Sequence, residues 1–161
     1  MVPWQLISSR SWQSALPPDR GEETFAPADG MTPAEDARGS GGVLIVEDDF
    51  LIALQAESAL RAAGFHVIGV AATAEEAIAL AREHKPSVAI MDIRLAGARD
   101  GIDAAGELYR ELGLRCVFAS AHDDQATRAR AEPFAPLGWL AKPYAMASLV
   151  SMIRDAISEA G

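Results

Sequence analysis

From residue 43 onward the sequence repeats one pattern: a short run of apolar residues without polar alternation, then a longer segment with apolar residues at helical spacing. The runs are VLIV at 43–46, HVIGVA at 66–71, SVAIM at 87–91, CVFA at 116–119 and LGWLA at 137–141. A strand that is apolar on both faces has to be covered on both, which is the condition of a parallel sheet. Parallel neighbours cannot be joined by a tight turn, so each connection crosses back over the sheet through a right-handed helical crossover. The pattern therefore predicts a doubly wound α/β sandwich, with the five runs as parallel strands and helices on both faces.

The intervening segments carry helix boundaries. The first predicted helix, 50–63, stops at Gly64, a residue suited to a left-handed C-terminal cap. Thr73 and Glu76 form a predicted capping box ahead of Ala77, Ile78 and Leu80, with Pro86 beyond the end. The third helix spans 101–112 and stops at Gly113; the fourth spans 123–132. In the last, 145–159, Met146, Leu149, Val150, Ile153 and Ile157 lie on one stripe. Residues 1–42 are different in kind. They hold five of the nine prolines and five of the thirteen glycines, show no apolar periodicity, and read as a disordered extension or linker ahead of a folded unit at 43–161.

Net charge and the longest apolar runs narrow the function classes. The formal net charge is -9 and no stretch gathers Lys or Arg into a patch, which argues against nucleic acid as a partner. No apolar run approaches the roughly 20 residues of a membrane span, and the N-terminus lacks the order of a signal peptide. The expectation is a cytoplasmic protein with no membrane partner. Cys116, within CVFA, reads as core filling rather than as a reactive thiol.

In an open α/β sheet, ligands bind in the crevice beyond the carboxyl ends of the strands. Glu47, Asp48 and Asp49 stand after the first run, Asp92 after the third, Ser120 after the fourth and Lys142 with Pro143 after the fifth; the second offers only Ala72 and Thr73. If the first, third, fourth and fifth strands are neighbours, these groups converge. Clustered carboxylates repel one another, and a hard cation such as Mg²⁺ removes the conflict by taking oxygen ligands. A hydroxyl and an ammonium opposite a metal-bound carboxylate form the set that stabilises a transferring phosphoryl group. Asp92, alone at its strand end, is then the natural nucleophile for an aspartyl phosphate. Singly, each residue has a plainer reading: a polar strand terminus for Asp92, a loop serine for Ser120, a surface lysine for Lys142. Their coincidence at the right strand ends favours a site, whereas Asp49 reads simply as the cap of the first helix. His66, His84 and His122 show no metal-ligand spacing.

VLIVEDD, AIMDIRL, CVFASA and AKPY, in that order and spacing, resemble the four signature stretches of the response-regulator receiver domain of two-component signalling. The resemblance covers residues 43 to about 160 and implies a flavodoxin-like sheet of order 2-1-3-4-5. It implies Asp92 as phosphoacceptor and Glu47 and Asp48 as the acidic pair for Mg²⁺, with Asp92 and the backbone carbonyl of Arg94 completing the metal ligation. It places Ser120 at the switch hydroxyl, Lys142 at the phosphate-binding lysine in a Lys-Pro bond usually held cis, and Trp139 at the switch aromatic. Two departures stand out. Ala96 replaces the proline common four residues after the phosphoacceptor, so a more mobile loop is expected there, and Trp139 is larger than the usual tyrosine or phenylalanine. Trp139 reads equally as a moving switch or as a plain core aromatic.

FLIAL at 50–54 has more consecutive apolar residues than one buried stripe can hold, so some must face water or a partner. Kinases of this family dock on the corresponding helix, which nominates Phe50, Ala53, Leu54 and Glu57 as contacts. Only Ala160 and Gly161 follow the last predicted helix, so the expectation is a single-domain regulator. Its partners would be a sensor histidine kinase or phosphotransfer protein and a possible downstream protein, in a monomer or weak homodimer. A Mg²⁺-dependent phosphatase with an aspartate nucleophile is the competing class, but it needs a second Asp where this chain has Arg94. A dinucleotide module needs a glycine-rich turn after the first strand, where this chain has acids.

Overall fold

The computed structural model describes residues 41–121 and 124–160. The proposed N-terminal extension at 1–42 lies, but for its last two glycines, outside the described residues, as does His122. The strands are β1 (Val43–Val46), β2 (Val67–Ala71), β3 (Val88–Asp92), β4 (Cys116–Ser120) and β5 (Gly138–Ala141). They alternate with helices α1 (Phe50–Ala62), α2 (Ala74–His84), α3 (Gly101–Leu112), α4 (Gln125–Ala131) and α5 (Met146–Ala160). A short 3₁₀ turn, Glu132–Phe134, follows α4. All pairings are parallel and the order is β2-β1-β3-β4-β5, as the resemblance implied.

Position in the sheet explains the composition of each strand. Every residue of the three inner strands β1, β3 and β4 is buried, whereas the edge strands β2 and β5 are partly open. Because side chains alternate along a strand, the same residues feed two cores. Leu44, Val46, Met91 and Phe118 pack toward Ala77 and Ile78 of α2 and Ile102 and Leu108 of α3. Val43, Ile45, Ile90 and Val117 pack toward Ala56 and Leu60 of α1 and Leu149 and Ile153 of α5. Register then brings the strand ends level: Val46 lies opposite Met91, Asp92 opposite Ala119, and Ser120 opposite Ala141.

Three local details differ from the sequence reading. Thr73 caps α2, its hydroxyl accepting from the Glu76 N–H at 3.2 Å, but the Glu76 carboxylate accepts from the Ala72 N–H at 2.8 Å, one residue before the cap. The reciprocal box forms instead on α3, where Asp100 accepts from the Asp103 N–H at 2.9 Å and Asp103 accepts from the Asp100 N–H at 3.3 Å. Helix α4 is also shorter than expected: it starts only after Asp124, whose carboxylate caps it by accepting from the Thr127 N–H at 2.7 Å, and it passes at Glu132 into the 3₁₀ turn that holds Pro133. Gly64, by contrast, has the left-handed φ of 91° that ends α1.

Among the described residues no helix is long and apolar enough to cross a membrane. Burial pushes the Cys116 thiol up to about 12, so its nucleophilic thiolate is essentially absent at neutral pH. An aromatic disulfide reagent is expected to leave Cys116 unmodified in native protein and to label one thiol per chain in denaturant. Rapid native labelling would contradict this packing.

Candidate functional site

The site is built where three central strands end. Glu47 continues β1 by one step, its N–H donating to the Ala71 carbonyl at 2.9 Å, so its side chain enters the crevice with 6% of its surface exposed. Its carboxylate is held at both oxygens: Oε1 accepts from the Asp49 N–H at 3.0 Å and Oε2 from Lys142 Nζ at 2.6 Å. Asp92, the last residue of β3, is equally buried and equally held. Its Oδ2 accepts from Lys142 Nζ at 3.0 Å and its Oδ1 from the Arg94 N–H at 3.2 Å. Lys142 thus bridges the two buried acids. It is positioned by its own N–H, which donates to the Ser120 carbonyl at 2.9 Å; the Lys142–Pro143 bond that follows is cis. Asp49 faces away from this pair and caps α1, accepting from the N–H groups of Leu51 and Ile52 at 3.0 and 3.2 Å.

Electrostatics follow from this crowding. Burial pushes the Glu47 carboxyl up to about 7, with the hydrogen bonds from Lys142 and the Asp49 N–H pulling against it and the Asp92 charge adding to it. Burial also opposes the Lys142 charge, but the hydrogen bonds to Glu47 and Asp92 outweigh it and hold the ammonium above its ordinary pKa. Glu47, exposed Asp48 and Asp92 offer ligand oxygens that all lie within 4.8 Å of one another. One ammonium cannot neutralise three carboxylates, and an all-oxygen donor set suits a hard divalent cation. These residues therefore fit a metal of the Mg²⁺ type.

The structure places the remaining predicted residues as follows. Ser120 closes β4, buried, one step past the residue opposite Asp92. Trp139 lies in β5, three residues before Lys142, and stacks on Phe118 with ring centroids 4.9 Å apart. Arg94 is exposed two residues past Asp92, its N–H committed to the Asp92 carboxylate. Ala96 forms an isolated parallel bridge with Thr73, so the loop after β3 is tied down on one side despite the missing proline. On α1, Phe50 and Leu54 are 74% and 47% exposed, and Glu57 is half-buried and paired with Arg61 at 2.9 Å. Ala53 requires a correction: at 4% exposed it faces the sheet with Ala56 and Leu60, and a docking protein cannot reach it. Leu51, 67% exposed, belongs to the outward face instead.

Two features were missed. Gly101 opens α3 directly against the end of β3: its N–H donates to the Ile93 carbonyl at 2.7 Å, and a Cβ there would fall 1.9 Å from the Asp92 carbonyl oxygen. The Asp-Gly pair at 100–101 signalled a cap but not this close approach. Beside the acids lies an apolar cavity of about 300 Å³ lined by Ile52, Gln55, Lys142, Pro143, Tyr144 and Met146.

The chain matches the family described as the response regulator receiver domain over residues 43–154. It belongs to that family. It is 35% identical over 129 residues to the transcriptional regulatory protein PdtaR of Mycobacterium tuberculosis, covering 80% of this chain and 62% of that protein. It is 35% identical over 117 residues to the phyllosphere-induced regulator PhyR of Methylorubrum extorquens, covering 71% of this chain and 43% of that protein. The chain thus spans less than two thirds of the length of these relatives. A signal receiver domain of a modulated diguanylate cyclase from Desulfovibrio desulfuricans superposes with a TM-score of 0.69 at 39% identity, over 74% of this chain and 94% of that one. A CheY-like receiver from Methanospirillum hungatei superposes with a TM-score of 0.68 at 22% identity, over 73% of this chain and 94% of that one, and supports the fold. Receiver domains are signalling phosphoacceptor domains that bind Mg²⁺ at an acidic pocket, and Glu47, Asp48 and Asp92 form such a cluster here.

Calorimetric titration is expected to show one Mg²⁺ bound per chain, with binding lost in Asp48→Asn; a variant that binds as tightly as the wild type would contradict the assignment of this cluster. Replacing Gly101 by Ala is expected to cost about 1–3 kcal/mol through overpacking, read as a lower urea midpoint. An unchanged midpoint would contradict the close approach at Asp92.

Proposed function

We propose that this chain is a response-regulator receiver that accepts a phosphoryl group on Asp92 from a sensor histidine kinase or phosphotransfer protein. The observation that carries the reading is the fixed orientation of the Asp92 carboxylate between Lys142 Nζ and the Arg94 N–H, beside further acids able to share a cation. An Asp92 oxygen forms the new bond to phosphorus as the bond from phosphorus to the donor histidine nitrogen breaks, and the proton needed by that nitrogen comes from solvent or the donor's own site. Lys142 lies where its charge stabilises the phosphoryl oxygens. Mg²⁺, held by Glu47, Asp48, Asp92 and the Arg94 carbonyl, would supply neutralisation of the same oxygens.

After transfer, the Ser120 hydroxyl turns to the phosphoryl group and the region from α4 to β5, with Trp139, moves between two packings. The exposed face of α1, with Phe50, Leu54 and Glu57, receives the phosphodonor. Output passes to a partner protein, or the domain drains phosphate from a shared kinase. The setting is the cytoplasm, and the chain works as a monomer or weak homodimer. Arg94 stands where an aspartate-nucleophile phosphatase needs its general acid, so one phosphoryl group per chain is expected rather than repeated turnover.

Incubation with Mg²⁺ and a small phosphodonor should add about 80 Da, one phosphoryl group, to the wild type and nothing to Asp92→Asn, whose amide replaces the nucleophilic oxygen. A gain in the variant, or phosphate release by the wild type at an enzyme's turnover rate rather than by slow hydrolysis of the acyl phosphate, would sink the reading. Phe50→Ala with Leu54→Ala is expected to slow transfer from the cognate kinase about tenfold, the scale of interface anchors, with reaction toward the small donor unchanged. Kinase transfer at the wild-type rate would remove α1 as the docking face.

A further inference from the structure

Helix α4 has almost no apolar anchor. Of its seven residues only Ala131 is buried, and one methyl group cannot fix a short helix against the domain. Two arginines reach from it instead. The Arg128 guanidinium lies 4.9 Å from the centroid of the Trp139 ring, which is itself stacked on Phe118. Arg130 spans both carboxylates of the α3 capping box, with Nη1 2.8 Å from Asp100 Oδ2 and Nη2 3.5 Å from Asp103 Oδ1. That box sits on Gly101, whose N–H is bonded to Ile93 next to the phosphoacceptor. The helix is therefore tied at one point to the strand that leads into Lys142, and at another to the segment packed on Asp92.

We propose that Arg128 and Arg130 form an electrostatic latch that holds α4 in the unphosphorylated chain and lets go when Asp92 carries a phosphoryl group. The release half rests on the phosphoacceptor reading above; the holding half does not. The strength of the contacts suits a switch. Arg130 is 50% and Asp100 32% exposed, and such an ion pair, like an exposed cation–π contact, biases an equilibrium by about fivefold or less. A hold of that size yields to a small movement at Ser120, which precedes Asp124, the N-cap of α4, by four positions. A helix anchored by a buried apolar stripe would not yield.

Hydrogen exchange on the full chain tests both halves. Without phosphodonor, the amides of α4 in Arg128→Gln with Arg130→Gln are expected to exchange about threefold to tenfold faster than in the wild type, as loss of two weak ties implies. Those of β4 and of the last turns of α3 should be unchanged, and Arg130→Lys, which keeps the charge, should recover part of the protection. Wild-type exchange in α4 of the double variant overturns the latch. So does acceleration spread equally over the sheet, because the arginines would then hold the whole fold. In wild type shown by mass to be phosphorylated, α4 should approach the exchange of the double variant, and unchanged exchange there overturns release. A wild type that takes no phosphoryl group while the double variant still opens α4 leaves the hold intact and removes only the phosphoacceptor reading.

Discussion

The ammonium of Lys142, held between Glu47 and Asp92, is the contact on which the site depends. Two carboxylates with 6% exposure each would repel and desolvate one another at the mouth of the sheet. Lys142 reaches them at 2.6 and 3.0 Å and makes their common burial tolerable. Its own position is set by the backbone, since its N–H continues the ladder to Ser120. Consequently the two acids, the hydroxyl and the ammonium are fixed by strand register rather than by flexible loops, and a site built on rigid elements keeps its geometry.

The compensation is incomplete, and that is chemically useful. Asp48 adds a third carboxylate within ligand distance of the other two, and burial still drives Glu47 up to about 7. A site that retains surplus negative charge and an all-oxygen donor set is prepared for a divalent cation, and with it for phosphoryl oxygens that would otherwise be repelled. The same crowding explains why α3 begins with glycine: any side chain on Gly101 would collide with the Asp92 carbonyl and displace Asp92.

Much of this was legible in the sequence, for identifiable reasons. Runs such as VLIV and VAIM are apolar on both faces, which only inner parallel strands tolerate, and the polar residue that ends each run had to lie in the crevice. What was not legible depends on phase and proximity. In FLIAL every residue is apolar, so nothing local shows that Ala53 turns inward; that is decided further along the helix, where Ala56 and Leu60 fix the buried stripe. Thr73 with Glu76 and Asp100 with Asp103 have equal spacing, yet only the second pair closes its box, because the Glu76 carboxylate is drawn to the Ala72 N–H. The sequence reading paired Glu47 with a metal; its shortest contact is to Lys142, a partner 95 residues away that spacing alone does not reveal.

The most direct test is a crystal structure of the chain with Mg²⁺ and beryllium fluoride, a tetrahedral stand-in for a phosphoryl group. The expected result is the fluoride adduct on an Asp92 carboxylate oxygen, with Lys142 Nζ and the Ser120 hydroxyl within hydrogen-bond distance of its fluorines and the cation on Asp48 and Asp92. An adduct bound elsewhere, or a cation that occupies the crevice without touching Asp92, would contradict the account.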